Sequence, residues 1–495
     1  MKRNSEFANF KSSYSSTACT STATLSSAPG AQFRVAFDAH CSLKSLLIVW
    51  LMTFLCVLVF GGVSVSNAQS WRDLAWRDLD PGFEPLFDSA HSIAAKGSVS
   101  SGKILVSKFT LDYQIEGLIR NQLFYTIGQL NGWDGVADMS RVKILSLKRI
   151  SLSSSFDEVL YSAELFVAWP RKRQLPFRVA LILPNRGDAS GLSDFYKLYA
   201  SDVYSQKKCL ASEVENLREE IFWYYYRPEK SSCALRKEEG ALAFRFDLDL
   251  TLSEENTTGK YPEYEKIWED GKLVVTAIFG IADLEKLEQR DPGVAAYVSF
   301  YKDLSKKFGK PLFSSLPTTR SPGVQNPYIE MHFKTSKNQL IEVHIFLVED
   351  IKNVDARFRQ LYNKLTQISD FISYSGHSGL GENIRALANM GTFRQGQYQI
   401  FLINGCDTFA YVDAALSEAH ARVNPSSGID KYIDIITNAM PSYFHMNSRS
   451  NMAVINALVE SKKTYRQILS NFDPYQKAVV TGEQDNRWPE PFYGQ

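Results

Sequence analysis

Two residues of this chain have the chemistry of a nucleophile and its base. Cys406 lies in YQIFLINGCDTF and His377 in FISYSGHSGLG, 29 positions earlier. A thiolate attacks carbonyl carbon readily, and an imidazole within reach can take the thiol proton and later return it to a leaving amine. Both residues follow short apolar runs, as expected where adjacent parallel strands deliver reactive groups to one edge of an α/β sheet. Gly376 and Gly379 bracket His377, with Ser378 between, and Gly405 precedes Cys406. Glycines there let a substrate come close to the backbone and offer N–H groups to developing negative charge. A helix starting near Asp407 or Thr408 would favour the thiolate through its dipole, whereas the Asp407 charge opposes it.

The other histidines suit this role less well. His332 and His344 fall in strand patterns, His420 near a helix end and His91 far from any motif. His445, in SYFHMNSR, is a reserve candidate. Cys406 and His377 have no third and fourth partner at ligand spacing, so neither a metal nor another cofactor is implied. Cys209 and Cys233 flank a short helix-like segment and are expected to form a disulfide, worth roughly 3 kcal/mol on the chain-entropy model. With Cys19, Cys41 and Cys56 expected to leave with the leader, Cys406 then remains as an unpaired, reactive thiol.

The disulfide presupposes an oxidising compartment, and the N-terminus agrees. An apolar stretch runs from Leu46 to about Val65 and ends in Ser66-Asn67-Ala68, which reads as a cleaved signal peptide and, as the second reading, a membrane anchor. The expected location is a bacterial periplasm or the exterior, with anchoring to the inner membrane as the alternative. Across 495 residues the formal charge is +1, with 22% charged and 44% hydrophobic residues, an ordinary globular balance that gives no nucleic-acid surface.

Behind a loosely structured start at 69–97, alternating apolar runs predict strands through KILVSKFTL, RVKILSLKRISL, VLYSAELFVAW, FRVALILPN and AFRFDLDLTL. Helix is expected within 188–226, and the polar stretch 253–272 as a linker. Strands and helices then alternate: KLVVTAIFGI, a helix ending near Gly309, two strands around Ser336–Asn338, a helix over 354–368, the two runs above, a helix over 407–421, a strand in KYIDIITNAM and a closing helix over 451–471. That order predicts a mostly parallel sheet with helices on both faces.

The sequence of apolar strand, histidine among glycines, then apolar strand ending in cysteine resembles the caspase-like cysteine peptidases, and YSGHSG is closest to the gingipain and clostripain type. The resemblance spans roughly 327–485. It implies an α/β fold of caspase-like kind, a mostly parallel sheet covered by helices, preceded by a separate β-rich α+β domain. The chain then divides into a leader at 1–68, the disulfide-bearing domain at 69–255 and the caspase-like domain at 256–495. His377 would be the catalytic histidine and Cys406 the nucleophile, with oxyanion support from the N–H of Cys406 and one within Gly376–Gly379. The implied activity is hydrolysis of peptide bonds in a protein or peptide substrate, with an association with the cell envelope. Ser378 stands where the family has glycine, and Asn404-Gly405 differs from the usual residues before the nucleophile. Asp407, Asp413 and Asp430 would each favour a basic side chain in the specificity pocket, and Tyr443, Phe444 and His445 would line it. The alternative is an inactive relative serving as an envelope binding or scaffold protein through the aromatic-rich segments WYYYRP and NGWDGVAD. A serine-hydrolase elbow at Ser378 fails, because Leu380 occupies the final glycine position.

Overall fold

The computed structural model describes residues 86–200, 209–211, 217–236, 241–283, 290–427 and 430–482. The expected leader and its cleavage point lie outside the described residues, as do 201–208 and 212–216 of the helical region expected over 188–226; within that region Ala189–Tyr199 is a helix and Phe222–Tyr225 a short helical turn. Among the described residues no helix is long and apolar enough to cross a membrane.

Two sheets organise the chain. A short β1 (Phe87–Asp88) precedes β2 (Ser92–Ser107), β3 (Val136–Ser151), β4 (Phe156–Pro170), β5 (Arg178–Pro184) and β6 (Ala243–Leu252). The start expected to be loose is thus ordered from Phe87 onward, because Phe87 itself is buried. β2 to β6 form an antiparallel sheet in the order β3-β4-β2-β6-β5. Helices Asp112–Leu123 and Tyr125–Asn131 contribute to the core of this layer. The Cys209–Cys233 disulfide is formed, closing a loop that carries Trp223, Tyr224 and Tyr225.

The second sheet comprises β7 (Lys272–Gly280), β8 (Phe313–Ser314), β9 (Tyr328–Lys334), β10 (Leu340–Val348), β11 (Phe371–Ser375), β12 (Gln399–Asn404), β13 (Ile433–Asn438) and β14 (Ala478–Gly482), with β1 added at one edge. Its centre, β10-β7-β11-β12-β13, is parallel, and antiparallel strands extend it on both sides. Strands buried on both faces alternate between two cores. Phe371, Ile400 and Leu402 join the side of helices Pro292–Phe308 and Asn447–Glu460. Ile372, Tyr374, Phe401 and Ile403 join that of helices Ala356–Leu365, Glu382–Met390 and Ala415–Val423.

The polar stretch at 253–272 connects the two sheets but is anchored rather than loose. Asn256 exchanges hydrogen bonds with the backbone of Ala94, and Lys260 is buried in an ion pair with Asp434 at 2.8 Å. The two layers also share hydrophobic core. Phe409, Tyr411, Ala439 and Val479 pack with the residues of the antiparallel sheet, and Phe87, Phe166 and Phe409 meet ring to ring at 5.8 to 6.2 Å.

Candidate active site

β11 and β12 run parallel in register, with Ser375 opposite Asn404. The loops carrying His377 and Cys406 therefore leave adjacent strands at the same level. Gly376 N–H donates to Asn404 C=O at 3.2 Å, which ties the loops together at their base. Glycine suits position 405, because a Cβ there would lie 3.0 Å from Gly376 O and from Ser378 N and Cα and would push the loops slightly apart. The close approach of the two loops rests on that missing side chain.

His377 is exposed, and its Nε2 lies 2.9 Å from Ala282 O, just beyond the end of β7. A carbonyl oxygen can only accept, so Nε2 carries the proton and Nδ1 keeps the lone pair a general base needs. Asp291 holds Ala282 in place. Its carboxylate accepts from the N–H groups of Ala282 and Asp283 while capping helix Pro292–Phe308 through Gly293 and Val294. The His377 carbonyl is fixed by Tyr374 Oη at 3.0 Å and Asn383 Nδ2 at 2.9 Å, and its ring meets Phe444 edge-on at 5.3 Å.

Cys406 is a free thiol, partly exposed, whose Sγ lies 3.6 Å from Ser442 O. No hydrogen bond joins it to His377. Burial and then the neighbouring Asp407 charge push the thiol up to about 11. The expected long helix after Cys406 is absent. Asp407 takes a left-handed conformation, φ 48°, and leads into a single turn at Thr408–Ala410, with helix only from Ala415. The thiolate therefore gains no dipole of a full helix.

Asp407 is fully buried, with Oδ2 accepting from Asn131 Nδ2 at 3.1 Å and Oδ1 without a partner. Burial pushes its carboxyl up to about 7, against the opposing effects of Tyr224, Asn131 and Arg227. The Tyr224 phenol lies against both the Cys406 thiol and the Asp407 carboxyl. The first layer thus reaches the candidate nucleophile through Asn131 and Tyr224.

Beneath the loops sits a buried amide network. Asn404 Nδ2 donates to Asn447 Oδ1, and its Oδ1 accepts from Asn438 and Gln476. Asn438 also donates to Gly405 O, and Asn451 to Ser375 Oγ. These bonds fix the ends of β11, β12 and β13 relative to one another. Among the described residues, nothing accepts from the N–H groups of Cys406 and Ser378. Gly376 N–H is already engaged, so Ser378 is the better donor within the histidine loop.

The pocket residues expected from sequence divide. Tyr443, Phe444 and His445 follow Ser442 and so stand beside both loops, with Tyr443 42% exposed. Asp407 faces the first layer and lines no open pocket. Asp413 is buried in an ion pair with Arg385. Asp430 precedes β13, whose first residue Ile433 pairs with Gln399 at the start of β12, so it lies at the opposite end of the strands. His420 is buried against Phe393 and Phe401, and burial lowers it to about 3.

Asp291 and the amide network were not singled out from sequence, and Asn131 and Tyr224 lie in NGWDGVAD and WYYYRP, segments read as a partner surface and not as neighbours of Cys406 and Asp407. The network did leave a trace, since three consecutive parallel strands end in a polar residue: FISYS, QIFLIN and IDIITN. A cavity of about 680 Å³ lies in the first layer, lined by Trp133, Trp169, Arg173, Arg178, Glu229 and Arg245 among others; neither Cys406 nor His377 borders it. Comparison with protein-family models, curated proteins and solved structures returns no match.

Proposed function

We propose that this chain is an extracytoplasmic cysteine endopeptidase of caspase-like type, with His377 and Cys406 as its dyad and a protein or peptide as its substrate. The observation that carries the reading is the shared level of the His377 and Cys406 loops at the ends of β11 and β12, with His377 Nε2 committed to Ala282 O. In the proposed reaction Cys406 Sγ attacks the scissile carbonyl while its proton passes to His377 Nδ1. The tetrahedral oxyanion is met by the N–H groups of Cys406 and Ser378. The imidazolium then protonates the leaving amine, and water hydrolyses the thioester with His377 as base. The disulfide supports an oxidising location such as a bacterial periplasm.

In the conformation described, the nucleophile is at rest: the thiol is raised and turned toward Ser442 O. Substrate binding would have to bring Sγ and Nδ1 together, consistent with catalytic contacts that tighten only in the Michaelis complex. The test is labelling by an acyloxymethyl ketone peptide probe together with cleavage of a peptide library. Labelling at Cys406 that is lost in His377→Ala supports the reading. Labelling indifferent to His377, with no peptide cleaved, refutes it.

The second reading, an inactive binding or scaffold protein, is favoured by the raised thiol and by the tryptophan- and arginine-lined cavity of the first layer. Under that reading the cavity, rather than Cys406, would engage the partner at the cell envelope.

A further inference from the structure

On β9 and β10, two glutamates and two histidines form a square. His332 stands opposite Glu342, and Glu330 opposite His344. Alternation puts all four on one face, since Ile329, Met331 and Phe333 turn into the core on the other. Farther along the same face, Tyr328 and Phe346 pack together, and Phe346 meets Phe358 of helix Ala356–Leu365.

We propose that Glu330, His332 and Glu342 bind one divalent transition-metal ion of the zinc class. One ligand atom from each of the three lies within 4.8 Å of the other two, and His332 Nε2 is 2.8 Å from Glu330 Oε1. Ligands at about 2.0–2.2 Å from a tetrahedral zinc are separated by about 3.4 Å, so small side-chain rotations close the site. Imidazole with two carboxylates suits zinc and its neighbours, whereas calcium and magnesium require a larger oxygen set.

The surroundings fit a metal centre as well. Glu342 Oε1 pairs with His344 Nε2 at 2.8 Å, and His344 Nδ1 with Tyr328 Oη at 2.9 Å. One tautomer serves both contacts, with Nε2–H donating to the carboxylate and Nδ1 accepting from the phenol. Phe313 packs on the His332 ring at 5.0 Å and steadies it. Side-chain exposures of 29, 27 and 17% for Glu330, His332 and Glu342 leave an open path for an ion and for water as a fourth ligand. Lys272 Nζ, 3.6 Å from Glu342 Oε2, opposes a cation; its side chain is 30% exposed.

The site is separate from the candidate dyad. Glu342 is level with Val274, one rung before Phe371, so it lies seven residues short of His377 along the strand direction. At about 3.3 Å per residue that is roughly 23 Å, toward the opposite end of the parallel strands. The ion would join the β9–β10 edge of the sheet rather than take part in the thiol chemistry.

The experiment is a Zn²⁺ titration of the chelator-stripped full-length protein against a chromophoric competitor, with Co²⁺ absorption as a second readout. One ion per chain is expected. Affinity should fall at least tenfold in His332→Ala and in the isosteric Glu330→Gln, rise severalfold in Lys272→Met, and be unchanged in Cys406→Ser and His377→Ala. Bound Co²⁺ should show d–d bands without thiolate charge transfer. No stoichiometric ion in the wild type, or binding lost in Cys406→Ser but kept in both His332→Ala and Glu330→Gln, would overturn the proposal.

Discussion

Ser375 and Asn404 stand opposite each other on β11 and β12, as the last paired residues before each strand gives way to its loop. His377 and Cys406 each follow two residues later. Equal offsets from one rung keep two loops, 29 residues apart in sequence, at a common height, and the buried amides around Asn404 hold that rung in place.

Burial and then the Asp407 charge set the reactivity of the Cys406 thiol. Asp407 raises the Cys406 thiol, so Asp407→Asn should lower it; each unit gives tenfold more thiolate at a fixed pH below the pKa. Iodoacetamide alkylation at pH 8 should therefore be faster in Asp407→Asn than in the wild type. Equal rates would show that burial alone sets the thiol.

Asp407 also predicts a pH dependence of stability. Its folded carboxyl is pushed up to about 7 from an ordinary 3.8, so the folded state favours the protonated form. Its contribution is full below about pH 4 and is lost as pH rises through 7. Thermal unfolding between pH 4 and 8 should show the wild type losing stability relative to Asp407→Asn, with the gap widening toward pH 7.

Asp291 should act on His377 through Ala282. Asp291→Ala removes the acceptor of the Ala282 and Asp283 amides and a helix cap, costing about 0.5–2 kcal/mol for the cap alone. If His377 is the base, turnover of a cleaved peptide should fall more than its KM rises, and the pH–rate profile should shift. Asp291→Asn, which still caps, should recover most of the stability. A stability loss with an unaltered pH profile would confine Asp291 to the helix.

Lys260 and Asp434 form a buried pair, with Tyr398 and Tyr465 also donating to the carboxylate. Lys260→Met strands a buried charge and should destabilise by about 3–5 kcal/mol in chemical denaturation. The double change Lys260→Met with Asp434→Leu should recover part of that loss.

What the sequence disclosed follows from the range of its signals. The runs at Phe371–Ser375 and Gln399–Asn404 are apolar enough to read as buried strands, and the Cys209–Cys233 pairing followed from spacing and compartment. Asp291 sits 86 positions from His377 and acts through a carbonyl of another residue, a relation no local pattern carries. Asn131 and Tyr224 belong to the other layer, and their approach to Asp407 exists only once the layers share a core. The helix expected from Asp407 failed for a related reason. In TFAYVDAAL, Phe409, Ala410 and Tyr411 are buried against that layer while Val412 and Leu416 join the core of the parallel sheet, and a left-handed Asp407 followed by one tight turn allows both.

The aromatic contact among Phe87, Phe166 and Phe409 sets what a cut between the layers would do. Its rings come from the first described strand, the middle of the antiparallel sheet and the turn just behind Cys406. A protease cutting between the layers would leave two fragments still gripped through these rings and through the pairing of β1 with β14. A nicked sample should therefore travel as one species on a sizing column until it is denatured.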